Sequence, residues 1–129
     1  MIVQLRAATN ALKAGDPEPY VALIAEDCEW REVPSGRLWW KRAPSWRGPD
    51  QAREVFKHLI SVNAGTLAMS TTEYAAIDDH KLISSHFWIG ETGQLQESYV
   101  VLTINDGKIV DIQGSKTRRK AERFARRHL

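Results

Sequence analysis

A handful of side chains in this sequence combine reactive chemistry with a suggestive setting. Glu32 closes the run C-E-W-R-E, two residues after Trp30. A carboxylate beside an indole is partly desolvated, and desolvation raises its pKa toward that of a working general base. The same stretch holds Glu26, Asp27 and Glu29, so a solvated acidic face is an equally good reading. His86 and Trp88 lie two apart in ISSHFWI and share a strand face, opposite Phe87 and Ile89. An imidazole beside a carboxylate would make an acid–base pair for neutral pH. Glu97, Tyr99, Val101 and Thr103 alternate with Ser98, Val100, Leu102 and Ile104, so Glu97 and Tyr99 share one face of a strand. Trp39, Trp40 and Trp46 crowd one loop, with Arg37, Lys41, Arg42 and Arg47 among them. Such a loop can stack on a flat ligand while its cations steer an anion; a dimer contact or a cover for the core is the alternative. His58, His80, His86 and His128 show no ligand-like spacing, and Cys28 is the single cysteine. The expectation is therefore no metal site and no disulfide, with Cys28 a small buried hydrophobe.

These residues need elements to position them. Val3, Leu5, Ala8 and Leu12 have helical spacing and stop before Gly15. Asp16 can cap a second helix over DPEPYVALIA, with Tyr20, Leu23 and Ile24 facing the core. CEWREV reads as a short strand, and PSGRLWWKRAPSWRGPD as a long loop. A third helix, QAREVFKHLISV, turns Val55, Phe56, Leu59 and Ile60 inward. After Gly65 the pattern becomes β-like: TLAMSTTEYAAID, KLISSHFWI, QLQESYVVLTI and KIVDIQ, the last two joined by the hairpin signal Asn105-Asp106-Gly107. Helices first and consecutive strands later predict an α+β fold, an antiparallel sheet covered by three N-terminal helices.

With 129 residues, 43% hydrophobic and 26% charged, the chain predicts a single globular domain over 1–129. No apolar stretch approaches a membrane span, and MIVQLRAATNALKAGD lacks a leader pattern, so a cytoplasmic protein without membrane contact is expected. The net charge of +2 hides an asymmetry. Residues 116–129 hold seven Lys or Arg against one Glu, whereas the rest of the chain carries eleven bases and fifteen acids. A basic tail can grip phosphates, but no aromatic is interleaved to stack on bases, so a helix end with solvated cations is expected rather than a nucleic-acid site. Residues 118–128 can form that helix with Ala121, Phe124 and Ala125 on one side. KLISSHFWI carries apolar residues on both faces, which predicts a homodimer covering the outer sheet face.

Three motifs, ALKAGDPEPYVALIAEDCEWREV, WRGPDQAREVF and YVVLTINDGKIVDI, taken in order, resemble the nuclear transport factor 2-like superfamily. The branch they look most like is that of SnoaL-like polyketide cyclases and ketosteroid isomerases. The resemblance implies a cone-shaped α+β barrel whose interior takes a small apolar molecule, and acid–base chemistry of isomerase, cyclase, dehydratase or epoxide-hydrolase type without a cofactor. The superfamily also contains non-catalytic binders and interaction modules. The resemblance implies Glu32 as the base and Glu97 as the acid facing the substrate oxygen, with His86 and Tyr99 as hydrogen-bond partners. Trp30, Trp39, Trp40, Trp46, Phe56, Leu59, Ile60, Met69 and Trp88 would line the ligand site. The family's first-helix tyrosine is Ala8 here, and the final strand runs into Gly114-Ser115-Lys116-Thr117.

Overall fold

Leu5, Ala8 and Leu12 fall on one side of helix α1 (Ile2–Lys13), and all three are buried. A computed structural model of the chain describes residues 1–32 and 46–127, with the backbone alone at Glu32 and Arg127. Helix α2 spans only Glu18–Val21, its Glu18 N–H received by Asp16 Oδ1 at 3.1 Å. The expected continuation through Leu23 and Ile24 gives way to strand β1 (Ile24–Glu32). Ile24 pairs with Ile109, and that long-range ladder outweighs a weak local preference for helix.

The chain returns as the short strand β2 (Trp46–Arg47) and enters helix α3 (Gly48–Met69). This helix runs past the expected change of period near Gly65, with a kink at Asn63 (φ −133°, ψ 26°). Four strands follow: β3 (Thr71–Ala76), β4 (Lys81–Ile89), β5 (Leu95–Asn105) and β6 (Lys108–Ser115). The β5–β6 turn has positive φ at Asp106 (51°) and Gly107 (74°), with Asn105 opposite Lys108. That is the two-residue hairpin the Asn-Asp-Gly signal predicts. Helix α4 (Arg118–Arg127) closes the chain.

The fold is α+β, with a curved, unclosed six-stranded sheet in the order β2-β1-β6-β5-β4-β3. Every neighbouring pair is antiparallel except β1 and β6, which run parallel. The concave face carries Cys28, Tyr74, Leu82, Leu102, Ile109 and Ile112, which pack with Leu5 of α1 and Ala52 and Phe56 of α3. The convex face has its own cluster: Ile83, Tyr99 and Val101 lie with Ala121 and Ala125 of α4, and Phe124 packs at its margin. Of the convex apolar residues that predicted a dimer, Ile83 is covered within the chain by the basic helix, whereas Ile89 is 59% exposed. The cations of α4 point outward: Arg119, Lys120, Arg123 and Arg126 are exposed. Among the described residues, no helix is long and apolar enough to cross a membrane.

Candidate functional site

Between the concave face and helices α1 to α3 lies a cavity of about 370 Å³. Its walls are mainly apolar and aromatic: Leu12, Trp30, Phe56, Leu59, Trp88 and Val100. Three aromatic contacts stiffen one wall. Tyr20 meets Phe56 edge-on at 5.4 Å, Trp46 meets Phe56 at 6.4 Å, and Trp30 leans on Trp46 at 6.0 Å. Such pairs hold a wall in place beyond their simple burial.

The sheet supplies the polar centre. Strand register sets Thr72 of β3 opposite His86 of β4, and His86 opposite Ser98 of β5. All three line the cavity. His86 is held at both ring nitrogens, Nδ1 with the Thr72 hydroxyl and Nε2 with the Ser84 hydroxyl, each at 3.1 Å. Each hydroxyl can donate or accept, so either neutral tautomer of the ring is satisfied there. Burial pulls its pKa down to about 4 from the usual 6.5, because charging the ring would strand a cation in an apolar wall. Ser84 carries the network on to the Tyr74 hydroxyl, which also meets Tyr20 and Thr9. Burial raises the pKa of both phenols, so Tyr20 and Tyr74 stay protonated. A chain of neutral donors and acceptors therefore runs from Thr72 to Thr9 behind the cavity wall, with Thr72, His86, Tyr20 and Thr9 in the lining.

The cavity brings together some of the expected residues. Trp30, Phe56, Leu59, His86 and Trp88 line it. Trp46 stands behind Trp30 and Phe56, only 4% exposed, its indole N–H without a hydrogen-bond partner. Ile60 packs against the core beside the cavity. Met69 is 85% exposed, because α3 continues through residue 69 and turns it to solvent. Trp39 and Trp40 lie outside the described residues. The expected placement of Glu97 and Tyr99 is corrected by register. Ser98 and Val100 face the cavity, so their neighbours point to the convex side. There Tyr99 stacks edge-on with Phe87 at 6.2 Å and joins the α4 cluster.

The backbone of Glu32 pairs with Gly114, and Gly114 is opposite Val100. The row continues through Ser84 to Tyr74. Glu29, by contrast, is engaged on both sides, by Arg31 and by Arg47. Cys28 is fully buried, and burial with nearby acids pushes its thiol up to about 12, so it is no nucleophile. No cluster of metal-ligating side chains occurs among the described residues. Thr9, Lys13, Thr72 and Ser98 were not anticipated in the lining. The two-residue spacing of Thr72 and Tyr74 in T-T-E-Y was the available signal for the first strand.

A curved sheet closed by N-terminal helices over an apolar cavity with a neutral polar floor is the nuclear transport factor 2-like fold. Residues 5–112 match the SnoaL-like domain, and the chain belongs to that family. Solved structures agree on the fold at low identity. A cystatin-like-fold protein of unknown function from Xanthomonas campestris is 22% identical (TM-score 0.63), covering 94% of this chain and 95% of its own. A candidate polyketide cyclase from Sinorhizobium meliloti is 14% identical (TM-score 0.61), covering 88% and 94%. TerC, co-crystallised with polyporic acid, is 16% identical (TM-score 0.61), covering 99% and 95%. No curated protein matches the sequence.

Proposed function

We propose that the cavity takes a small, flat, apolar molecule bearing a carbonyl oxygen, and that the chain moves a proton on it with its own side chains. The observation that carries this reading is the apolar cavity of about 370 Å³ floored by a neutral imidazole and hydroxyls. Such a floor orients an oxygen without adding charge. The similarity to a candidate polyketide cyclase and to TerC, co-crystallised with polyporic acid, supports a small-molecule ligand. Glu32 is the proposed base, supported by its register with Gly114 and by the family resemblance. Its carboxylate would take the proton from a carbon next to the carbonyl. The electron pair of that C–H bond would move onto the oxygen as an enolate, hydrogen-bonded by the hydroxyls of the floor. The protonated Glu32 would return the proton to another atom of the ligand. His86 stays neutral and holds the hydroxyls in place.

2-Tetralone in deuterated buffer tests this. Exchange of its α-protons, followed by proton NMR, should be catalysed by the wild type and lost in Glu32→Gln. Quenching of Trp30 and Trp88 fluorescence by the same ketone should persist in that variant. A second reading, a binder without catalysis, draws on the absence of any carboxylate among the described lining residues. Quenching with no exchange in the wild type would establish that reading over the first.

A further inference from the structure

We propose that the natural ligand is a lipophilic carboxylic acid, bound as its carboxylate, and that Lys13 is its counter-ion. The inference rests on the small-molecule reading of the cavity and adds the charge of the molecule that fills it. Lys13 is the last residue of α1, half-buried, and lines the cavity beside Leu12. Among the described lining residues it is the one group that is charged at neutral pH. No acid is among the described lining residues with it. His86 is uncharged there, and the Tyr20 phenol keeps its proton.

Four arginines near the body of the fold are held in ion pairs. Arg31 and Arg47 share Glu29, Arg53 bridges Glu18 and Asp50, and Arg118 holds Glu122. Lys13 makes no ion pair among the described residues. An ammonium set against an apolar wall with no anion beside it is an incomplete arrangement, and an anionic ligand completes it.

The location of the charge orients the ligand. Helices α1 and α3 pack together, and α3 brings Asn63 and Thr66 to the same lining. An amide and a hydroxyl there can donate to the carboxylate oxygen that Lys13 leaves open. Among the described lining residues, the polar partners on the sheet side are neutral: Thr72, His86 and Ser98. A carboxylate is therefore favoured at the α1–α3 edge, with the apolar body against Trp30, Phe56 and Trp88 and any second oxygen on the floor.

Two probes of equal shape separate charge from fit: 2-naphthoate and its neutral isostere 2-acetylnaphthalene. Affinities are read from tryptophan quenching at pH 7.5 for the wild type, Lys13→Gln and Lys13→Arg. The wild type should prefer naphthoate. Lys13→Gln should weaken naphthoate by about tenfold and leave acetylnaphthalene unchanged, and Lys13→Arg should retain most of the preference. Equal affinities in the wild type, or an equal effect of Lys13→Gln on both probes, would overturn the inference while leaving the pocket reading intact. If neither probe binds the wild type, the pocket reading itself fails and takes this one with it. Thermal unfolding of both variants identifies any loss that comes from misfolding.

Discussion

At the scale of single residues, the side chain that organises the cavity is His86, and its consequence is measurable. Burial lowers its pKa to about 4, below the 6.5 of an unfolded chain. The folded state therefore resists the proton that the unfolded state accepts. The stability conferred by the neutral ring is fully present above about pH 6.5 and is lost as pH falls toward 4, up to about 3 kcal/mol in all. His86→Gln keeps polar contacts to Thr72 and Ser84 within reach but cannot titrate. The difference in unfolding free energy between wild type and variant should shrink across that window. A difference that stays flat from pH 7 to pH 4 would show that the ring is not held neutral. The low pKa that keeps the ring neutral also makes it a weak base, and both nitrogens are already engaged by Thr72 and Ser84. That is why the proposed chemistry assigns proton removal to Glu32 and leaves the imidazole to fix hydroxyls.

At the scale of elements, helix α3 decides the shape of the pocket, since it supplies Phe56, Leu59, Asn63, Thr66 and Leu67 to the lining. Its first residue, Gly48, has φ +75°, and a Cβ there would sit 3.0 Å from the Glu26 carbonyl oxygen. Both the conformation and the space require glycine. Gly48→Ala should cost about 2–4 kcal/mol in chemical denaturation, as strain and clash combine. Gly65, inside the same helix, meets nothing within 4 Å. Gly65→Ala should stabilise the protein by about 0.5–1 kcal/mol through helix propensity alone. The opposite ordering of these two variants would mean that α3 does not start where it does. The sequence pattern places Phe56, Leu59 and Ile60 on the inward face of α3 correctly but misplaces Val55, which is 41% exposed. It misreads the last turn, because T-L-A-M has no polar break to separate helix from strand. Extension of the helix past Asn63 is what exposes Met69.

At the scale of the whole molecule, α4 covers part of the sheet face on which a dimer was expected. A dimer was expected because the convex sheet face looked too apolar to stand alone. Ala121 and Ala125, both fully buried, seal Ile83 and Val101 against α4 instead. Truncation after Thr117 should uncover that patch, lower stability by about 2–4 kcal/mol, and drive self-association at micromolar concentration. Sedimentation of the full and truncated chains side by side checks this. A truncated chain that stays monomeric and equally stable would mean that α4 contributes nothing to the convex face. Arg119, Lys120, Arg123 and Arg126 of α4 face solvent, as a structural helix with a solvated basic side would have it.

Periodicity and turn chemistry are local properties, and they were legible: α1, the inward Phe56, Leu59 and Ile60 of α3, the four C-terminal strands, the Asp106-Gly107 hairpin and the helical tail. The alternation of β5 was legible too, since it separates Glu97 and Tyr99 from Ser98 and Val100. Which of those two faces meets the cavity was not, because a strand carries no label for inside. That choice was made by α4, whose small residues claim the Tyr99 face, and by α1 and α3, which claim the other. The same long-range packing inserted β6 between β1 and β5 and set Glu32 opposite Gly114. It also brought Lys13, Tyr20, Thr72 and His86, far apart along the chain, around one volume. Burial then made His86 neutral, because the energy of a charge depends on its surroundings in space and not on its neighbours in sequence.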